Sequence, residues 1–220
     1  MSGFAAAVRL DVLTVRPYGR QVLLLGLAVA CISVVGGPPV AVVAAGSVFA
    51  ALVAAYPFAI GDKNELDSLR SVLPAARRTF VRARYAATVG MYAVCLAVCT
   101  GLALAPAAAR GEPVDAAELG MVAALGYALF AVLAGLQLPV YYALGYPRGR
   151  VVAYVPLIVL SAAVAASTSM LGDLAPDLTA WVTARPGASV ALLLVAGTGL
   201  LVASCVTARR LDARRAARGG

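Results

Sequence analysis

Six long apolar runs, with almost all basic residues on alternate connections between them, limit what this chain can fold into. The runs lie near 21–36, 38–60, 85–106, 117–144, 151–171 and 188–206. Of the eighteen Lys and Arg residues, all but Arg110 and Arg185 fall in the N-terminus, the second-to-third connection, the fourth-to-fifth connection and the tail. Basic residues near a span resist translocation, so these four segments are predicted to be cytoplasmic. The pattern predicts an all-α polytopic membrane protein, with six transmembrane helices in one domain over residues 1–220 and both termini cytoplasmic.

The composition agrees with a multi-pass protein of the cell membrane. The chain is 62% hydrophobic and 13% charged, whereas soluble domains are about 45–50% apolar and roughly 25% charged. A soluble core could not bury this much apolar surface, so lipid is expected to solvate part of it. The net charge of +8 lies on the predicted cytoplasmic face, where anionic headgroups attract it. The predicted partner of this charge is therefore membrane lipid, and nucleic-acid binding is not expected.

Three segments outside the spans have their own patterns. Residues 1–17 mix apolar and basic side chains, which predicts an interfacial N-terminal helix, with a frayed basic N-terminus as the alternative. Residues 172–187 carry apolar residues at helical spacing and predict an external interfacial helix. Residues 207–220 form a basic tail. A Gly-Gly-Pro-Pro turn at 36–39 indicates a tight hairpin of the first two spans, or a re-entrant pair.

Most catalytic chemistry is missing from the sequence. The chain has no histidine, which excludes Ser-His-Asp triads and HExxH zinc sites. It also has no P-loop, and apart from Glu118 at the start of the fourth, the predicted spans contain no Asp, Glu, Lys or Arg. We therefore expect no enzyme activity, no metal and no cofactor in this chain, and a partner that supplies the energy for any work on a substrate.

Some polar and special residues do occur within the spans. Cys95 and Cys99 share a helix face, but no further ligand completes a metal set, so we expect them to be packing residues. Gln137 and the Ser-Thr-Ser run at 167–169 are expected to bond to neighbouring helices, or else to line a substrate path. Pro139 predicts a kink or break in the fourth span.

The connection 61–84 is the largest predicted cytoplasmic feature between spans. Leucines 66, 69 and 73 recur at helical spacing, acidic residues 62, 65 and 67 lie at the start, and Pro74 ends the pattern. A basic run that includes Arg77 then leads into the third span. An acidic and apolar helix suits a protein groove better than anionic lipid, so the pattern indicates a docking element. The alternative is a plain connecting loop packed on its own helices.

Residues 62–85 resemble the first cytoplasmic loop of small type-2 ATP-binding-cassette (ABC) permeases. The matching positions are Asp62, Leu73, Pro74, Arg77, Val81, Arg84 and Tyr85. Residues 138–150 resemble the end of the fourth span in the same family, where a proline, a tyrosine and a glycine precede a basic loop. The chain departs from the family at Ala76, where a hydroxyl residue is common, and at Lys63-Asn64, which reduce the acidic cluster.

This resemblance implies a permease subunit that exports an apolar or amphipathic substrate. The ATP would be bound and hydrolysed by a separate P-loop ATPase subunit, beneath a pair of permease chains that are identical or different. The residues implied in coupling to the ATPase are Asp62, Glu65, Leu69, Leu73, Pro74 and Arg77. The alternative function is that of a non-transporting membrane assembly or immunity protein, which would have no dedicated ATPase.

Overall fold

The computed structural model describes residues 3–15, 19–20, 26–27, 30–31, 39–64, 76–110, 115–155, 159 and 184–219. The helices with defined bounds are α1 (Gly3–Val15), α2 (Pro39–Val53), α3 (Tyr56–Lys63), α4 (Arg77–Arg110), α5 (Ala116–Leu144) and α6 (Pro186–Gly219). Residues 146–155 are helical as well. Helix is the only regular secondary structure in the described residues, which confirms the predicted all-α class.

Among the described residues, four stretches of helix are long and apolar enough to cross a membrane. They are Ala41–Lys63, Arg77–Ala105, Ala116–Leu144 and Pro186–Arg215. They correspond to the second, third, fourth and sixth predicted spans. Most of the first and fifth predicted spans, 21–36 and 151–171, and most of the predicted external helix at 172–187 fall outside the described residues. The count of six spans and the cytoplasmic location of both termini therefore stay predictions.

Helix α5 lies at the centre of the described bundle and packs mainly against α6 and α2. Several of its large side chains are fully buried, among them Phe130, Leu133 and Leu138. The ring of Tyr92 from α4 stacks on Phe130 with centroids 4.2 Å apart. The apolar windows of α4 and α6 are each only 17% buried, against 44% for α5. The outer helices thus present most of their apolar surface to lipid or to other segments.

Glycines allow two of these helices to approach α5 closely. A Cβ atom at Gly126 would lie 2.6 Å from Cγ1 of Val43 and 2.9 Å from Oγ of Ser47, both on α2. A Cβ atom at Gly197 of α6 would lie 2.9 Å from the ring of Tyr127. A larger residue at either position would force the helices apart, which is how small residues promote helix contacts in membranes.

The second predicted span, 38–60, is not one continuous helix. Helix α2 ends at Val53, residues 54–55 form a turn, and α3 begins at Tyr56. Pro57 lies in the first turn of α3, where it cannot donate to the carbonyl of Val53 and its ring crowds that carbonyl. The turn instead contains short-range bonds, from Ala55 N–H to Leu52 O and from Phe58 N–H to Ala55 O, each 3.1 Å. The predicted span is retained, since Ala41–Lys63 is long and apolar enough to cross a membrane, but the turn before Pro57 was not predicted from the sequence.

The fourth predicted span behaves in the opposite way. Helix α5 continues through Pro139 to Leu144, so of the predicted kink or break the break does not occur, and the kink stays a prediction. The carbonyl that Pro139 leaves without its helical donor is that of Gly135, four residues earlier. This carbonyl accepts a hydrogen bond of 2.7 Å from the Ser204 hydroxyl of α6. A neighbouring helix thus replaces the missing bond, as is common for proline in membrane helices.

Candidate functional site: a cleft at one end of the bundle

The ends of α3 and α5, the start of α4 and the last part of α6 define the candidate site. A rise of about 1.5 Å per residue gives the 29-residue α5 a length of roughly 43 Å, enough to separate its two ends across a membrane. Its Gly145 end adjoins a cleft that α3 and α6 also line. The lining residues are Phe58, Gly61, Asp62, Tyr141, Tyr142, Gly145, Tyr146, Asp212 and Arg215.

Two of the six predicted coupling residues are described, and they flank the connection. Asp62 lies in α3, one residue before its end, and its side chain is exposed. Arg77 is the first residue of α4 and is also exposed. Glu65, Leu69, Leu73 and Pro74 lie outside the described residues. The structure thus puts Asp62 and Arg77 at the two helix ends from which residues 65–75 leave, and the roles of all six residues stay predictions.

Gly145 joins the tail of α6 to the end of α5. Its backbone φ angle of +74° is one that residues other than glycine rarely adopt. Its N–H bonds to Tyr141 O at 2.9 Å and so caps α5. A Cβ atom at this position would lie 3.1 Å from both terminal nitrogens of Arg215. The guanidinium of the tail therefore lies directly against the Gly145 backbone, which the basic composition of the tail alone did not predict.

An aromatic cluster forms the wall of the cleft. Phe58 of α3 contacts Tyr141 and Tyr142 with ring centroids 5.1 and 5.0 Å apart, and Tyr146 lies 5.8 Å from Tyr141. Tyr141 is only 2% exposed, so protein rather than lipid headgroups surrounds it. Burial raises the pKa of Tyr146 above its ordinary value, and this phenol therefore stays neutral at physiological pH. The cluster joins α3 firmly to the 145–150 connection.

A buried ion pair fixes the N-terminal helix to the start of the third span. Nε and Nη2 of Arg84 each donate to one carboxylate oxygen of Asp11, both at 2.8 Å. Only 4% and 7% of the two side chains are exposed. The Arg84 guanidinium also lies 4.4 Å from the ring centre of Phe58. One arginine therefore links α1, α4 and α3.

Helix α1 uses one face for this contact. Ala7, Asp11 and Val15, spaced four residues apart, are its buried residues, while Phe4, Val12 and Leu13 are 43–55% exposed. The alternative prediction of a frayed N-terminus is therefore wrong, because residues 3–15 form a helix with a packed face. Its location at a membrane interface stays a prediction. The sequence pattern missed the ion pair, since its partners lie 73 residues apart.

Comparison with known families decides what kind of protein carries this site. A family described as ABC-2 family transporter protein matches residues 8–210. The chain belongs to the ABC-2 transporter family. No curated protein and no solved structure matches it. As an ABC-2 membrane protein the chain is a transporter permease, and the match covers the cleft residues of α3, α5 and the 145–150 connection but ends before Asp212 and Arg215 of α6.

Proposed function

We propose that this ABC-2 chain is the permease subunit of an ABC exporter for an apolar or amphipathic substrate. A separate P-loop ATPase subunit hydrolyses the ATP and docks on residues 61–84, and two permease chains, identical or different, form the translocation unit. The observation that carries the proposal is the family match over residues 8–210. The helix ends that flank residues 65–75 support the choice of docking element.

The helices on either side of residues 65–75 can transmit a force that is applied to this segment. Helix α3 has only eight residues and is separated from α2 by the turn at 54–55. It can therefore tilt as a short lever relative to the rest of its span. Helix α4 is continuous over 34 residues, about 51 Å, so motion at Arg77 is carried through the membrane. Arg84 of α4 bonds to Asp11 of α1 and lies over the ring of Phe58 of α3, so it connects α3 and α4 to α1.

Energy from ATP reaches the substrate only through a difference in binding between two states. ATP must favour one arrangement of the ATPases, and the docked segment must favour one arrangement of the spans. The permease residues then transmit motion and perform no bond chemistry. The apolar side chains on α4 and α6, such as Val98 and Val195 at 56% and 71% exposed, suit an apolar or amphipathic cargo on this surface.

The test is affinity purification of the tagged full-length chain from native membranes in mild detergent, with and without cross-linking. We expect a stoichiometric P-loop ATPase with the wild type, and its loss with the double substitution Leu69→Asp/Leu73→Asp. The matched control is Ala116→Asp/Ala117→Asp, which adds the same charge at the exposed start of α5, at the opposite end of this helix from the cleft. The control variant is expected to retain the ATPase.

Two results would contradict the proposal. Retention of the ATPase by the leucine variant at the wild-type ratio would remove residues 61–84 as the docking element. Absence of any ATPase from cross-linked wild-type material would instead favour the non-transporting alternative. Membrane insertion of each variant, measured as yield of monodisperse protein, separates loss of docking from loss of the fold.

A further inference from the structure

Two arginines from different helices come together at the end of the bundle that contains the cleft. The hydroxyl oxygens of Tyr85 on α4 and Ser204 on α6 lie 2.6 Å apart, which sets the register of these two helices. Arg82 lies three residues before Tyr85, about 4.5 Å along α4. Arg209 lies five residues after Ser204, about 7.5 Å along α6, which runs in the opposite direction. The Cys205 sulfur is within electrostatic reach of both guanidinium groups, so the two positive charges lie at a similar level of the bundle.

The described part of the chain pairs neither of these two charges with a carboxylate. Its acidic groups at this end are Asp11, which pairs with Arg84, and Asp62 and Asp212, which line the cleft. Nε of Arg209 is buried and has no hydrogen-bond partner among the described residues. Two neighbouring guanidinium groups repel each other, and a buried donor without an acceptor costs free energy. An anion held by both side chains would remove the repulsion and could supply an acceptor.

The position of the two arginines along their spans indicates a lipid phosphate. The apolar run of α4 begins at residue 85 and that of α6 ends at residue 206, so each arginine lies about 4.5 Å beyond the apolar part of its span. Lipid headgroups lie at this level, just outside the hydrocarbon. Arginine binds phosphate through two parallel N–H donors, and basic pockets between membrane helices bind anionic headgroups. We propose that Arg82 and Arg209 form a binding site for the phosphate of an anionic phospholipid.

Exposed valines next to the two arginines offer a surface for the acyl chains. Val89 lies two turns from Arg82 on the same face of α4 and is 37% exposed. Val202 and Val206 lie on the Arg209 face of α6, two turns and one turn away, and are 59% and 39% exposed. A phospholipid can contact the arginines and the valines together, whereas a phosphate ion contacts the arginines alone. The apolar surface therefore favours a lipid over inorganic phosphate.

The experiment is native mass spectrometry of the full-length protein in detergent, titrated with phosphatidylglycerol or with phosphatidylcholine of the same acyl chains. We expect the wild type to bind phosphatidylglycerol more tightly. The variant Arg82→Gln/Arg209→Gln should bind it about tenfold more weakly or worse, because charge-assisted hydrogen bonds are lost. The matched control Arg148→Gln/Arg150→Gln removes the same charge from exposed side chains at the same end and should keep the preference. An excess of inorganic phosphate should not displace the lipid.

Four outcomes would overturn the site. They are equal binding of the two lipids by the wild type, a preference that survives in the Arg82/Arg209 variant, an equal loss in the control variant, and displacement of the lipid by inorganic phosphate. The last outcome would assign the two arginines to a free anion instead. The site does not depend on ATPase docking, so this experiment tests it independently of the proposed function.

Cys205 provides a second readout that needs no variant. Because its sulfur lies near both arginines, bound phosphatidylglycerol should slow its alkylation by a water-soluble maleimide, measured by peptide mass spectrometry. Alkylation of the exposed Cys31 serves as the internal control and should keep its rate. Phosphatidylcholine should protect neither thiol. A Cys205 rate that phosphatidylglycerol leaves unchanged would contradict the proposed site even if the arginine variant proved unstable.

Discussion

Two prolines within membrane-spanning helices have opposite effects in this protein. At Pro57 the helix is interrupted, and α2 and α3 are separate elements joined by a turn. At Pro139 the helix continues for five more residues, to Leu144. Both prolines lack the N–H that would bond four residues back, and both rings crowd that carbonyl. The difference must therefore come from what surrounds them.

The region around Pro139 contains a neutral hydrogen-bond chain that joins three helices. Ser204 donates to Gly135 O at 2.7 Å, and the Tyr85 hydroxyl lies 2.6 Å from the Ser204 oxygen. A serine has only one hydroxyl proton, which goes to the carbonyl, so Tyr85 must donate to Ser204. Because Gly135 has no side chain, the serine can reach its carbonyl.

The region around Pro57 is held by charge instead. Phe58, the next residue, lies beneath the Arg84 guanidinium, and Arg84 is paired with Asp11. Val53, Ala54 and Pro57 line a small crevice together with this ion pair. The comparison shows that a helix continues through a proline where a neighbouring helix donates a hydrogen bond to the carbonyl left without a partner. Where the neighbours contact only side chains near the proline, the helix is interrupted.

The largest effect is expected from removing one member of the ion pair. Asp11→Ala leaves the Arg84 charge buried without its carboxylate, which should cost about 3 kcal/mol in the free energy of unfolding. Reversible unfolding in mixed micelles with increasing dodecyl sulfate measures this quantity. The double variant Asp11→Leu/Arg84→Met removes both charges and should be clearly more stable than Asp11→Ala. A double variant as unstable as the single one would show that the cost of Asp11→Ala does not come from a buried unpaired charge.

The sequence carried a signal for the turn at Pro57 but none for the hydrogen bond that replaces the missing one at Pro139. The apolar runs and the asymmetry of basic residues located four of the helices, because hydropathy depends only on local composition. Pro57 carried a local signal for the turn that the apolar run concealed. The bond between Ser204 and Gly135 could not be predicted, since it joins residues 69 apart. For the same reason the candidate site was predicted only as a docking helix within residues 61–84, whose six coupling residues include Asp62 and Arg77 but not Phe58, Gly145 or Arg215.

The second effect tests the bridge at Pro139. Ser204→Ala removes the donor to Gly135 O and the acceptor of Tyr85, leaving two polar groups unsatisfied, and should destabilise the protein by about 2 kcal/mol. Thr207→Ala is the control, because its hydroxyl bonds only to Ala203 O on its own helix and is exposed. The control should change the free energy of unfolding by less than ~0.5 kcal/mol. Equal effects of the two substitutions would show that the hydrogen bonds of Ser204 to Gly135 and Tyr85 do not stabilise the protein measurably.

The smallest effect distinguishes the two prolines directly. In a Pro139→Ala background, the N–H of residue 139 can donate to Gly135 O, so Ser204→Ala leaves only the Tyr85 hydroxyl unsatisfied. The cost of Ser204→Ala should then fall by about 1 kcal/mol, which a double-mutant cycle measures as a coupling energy. Pro57→Ala provides the matched cycle, and it should be additive with Ser204→Ala within about 0.5 kcal/mol. Coupling of Ser204 to Pro57 but not to Pro139 would reverse the assignment, because the serine would then stabilise the hinge rather than the continuous helix.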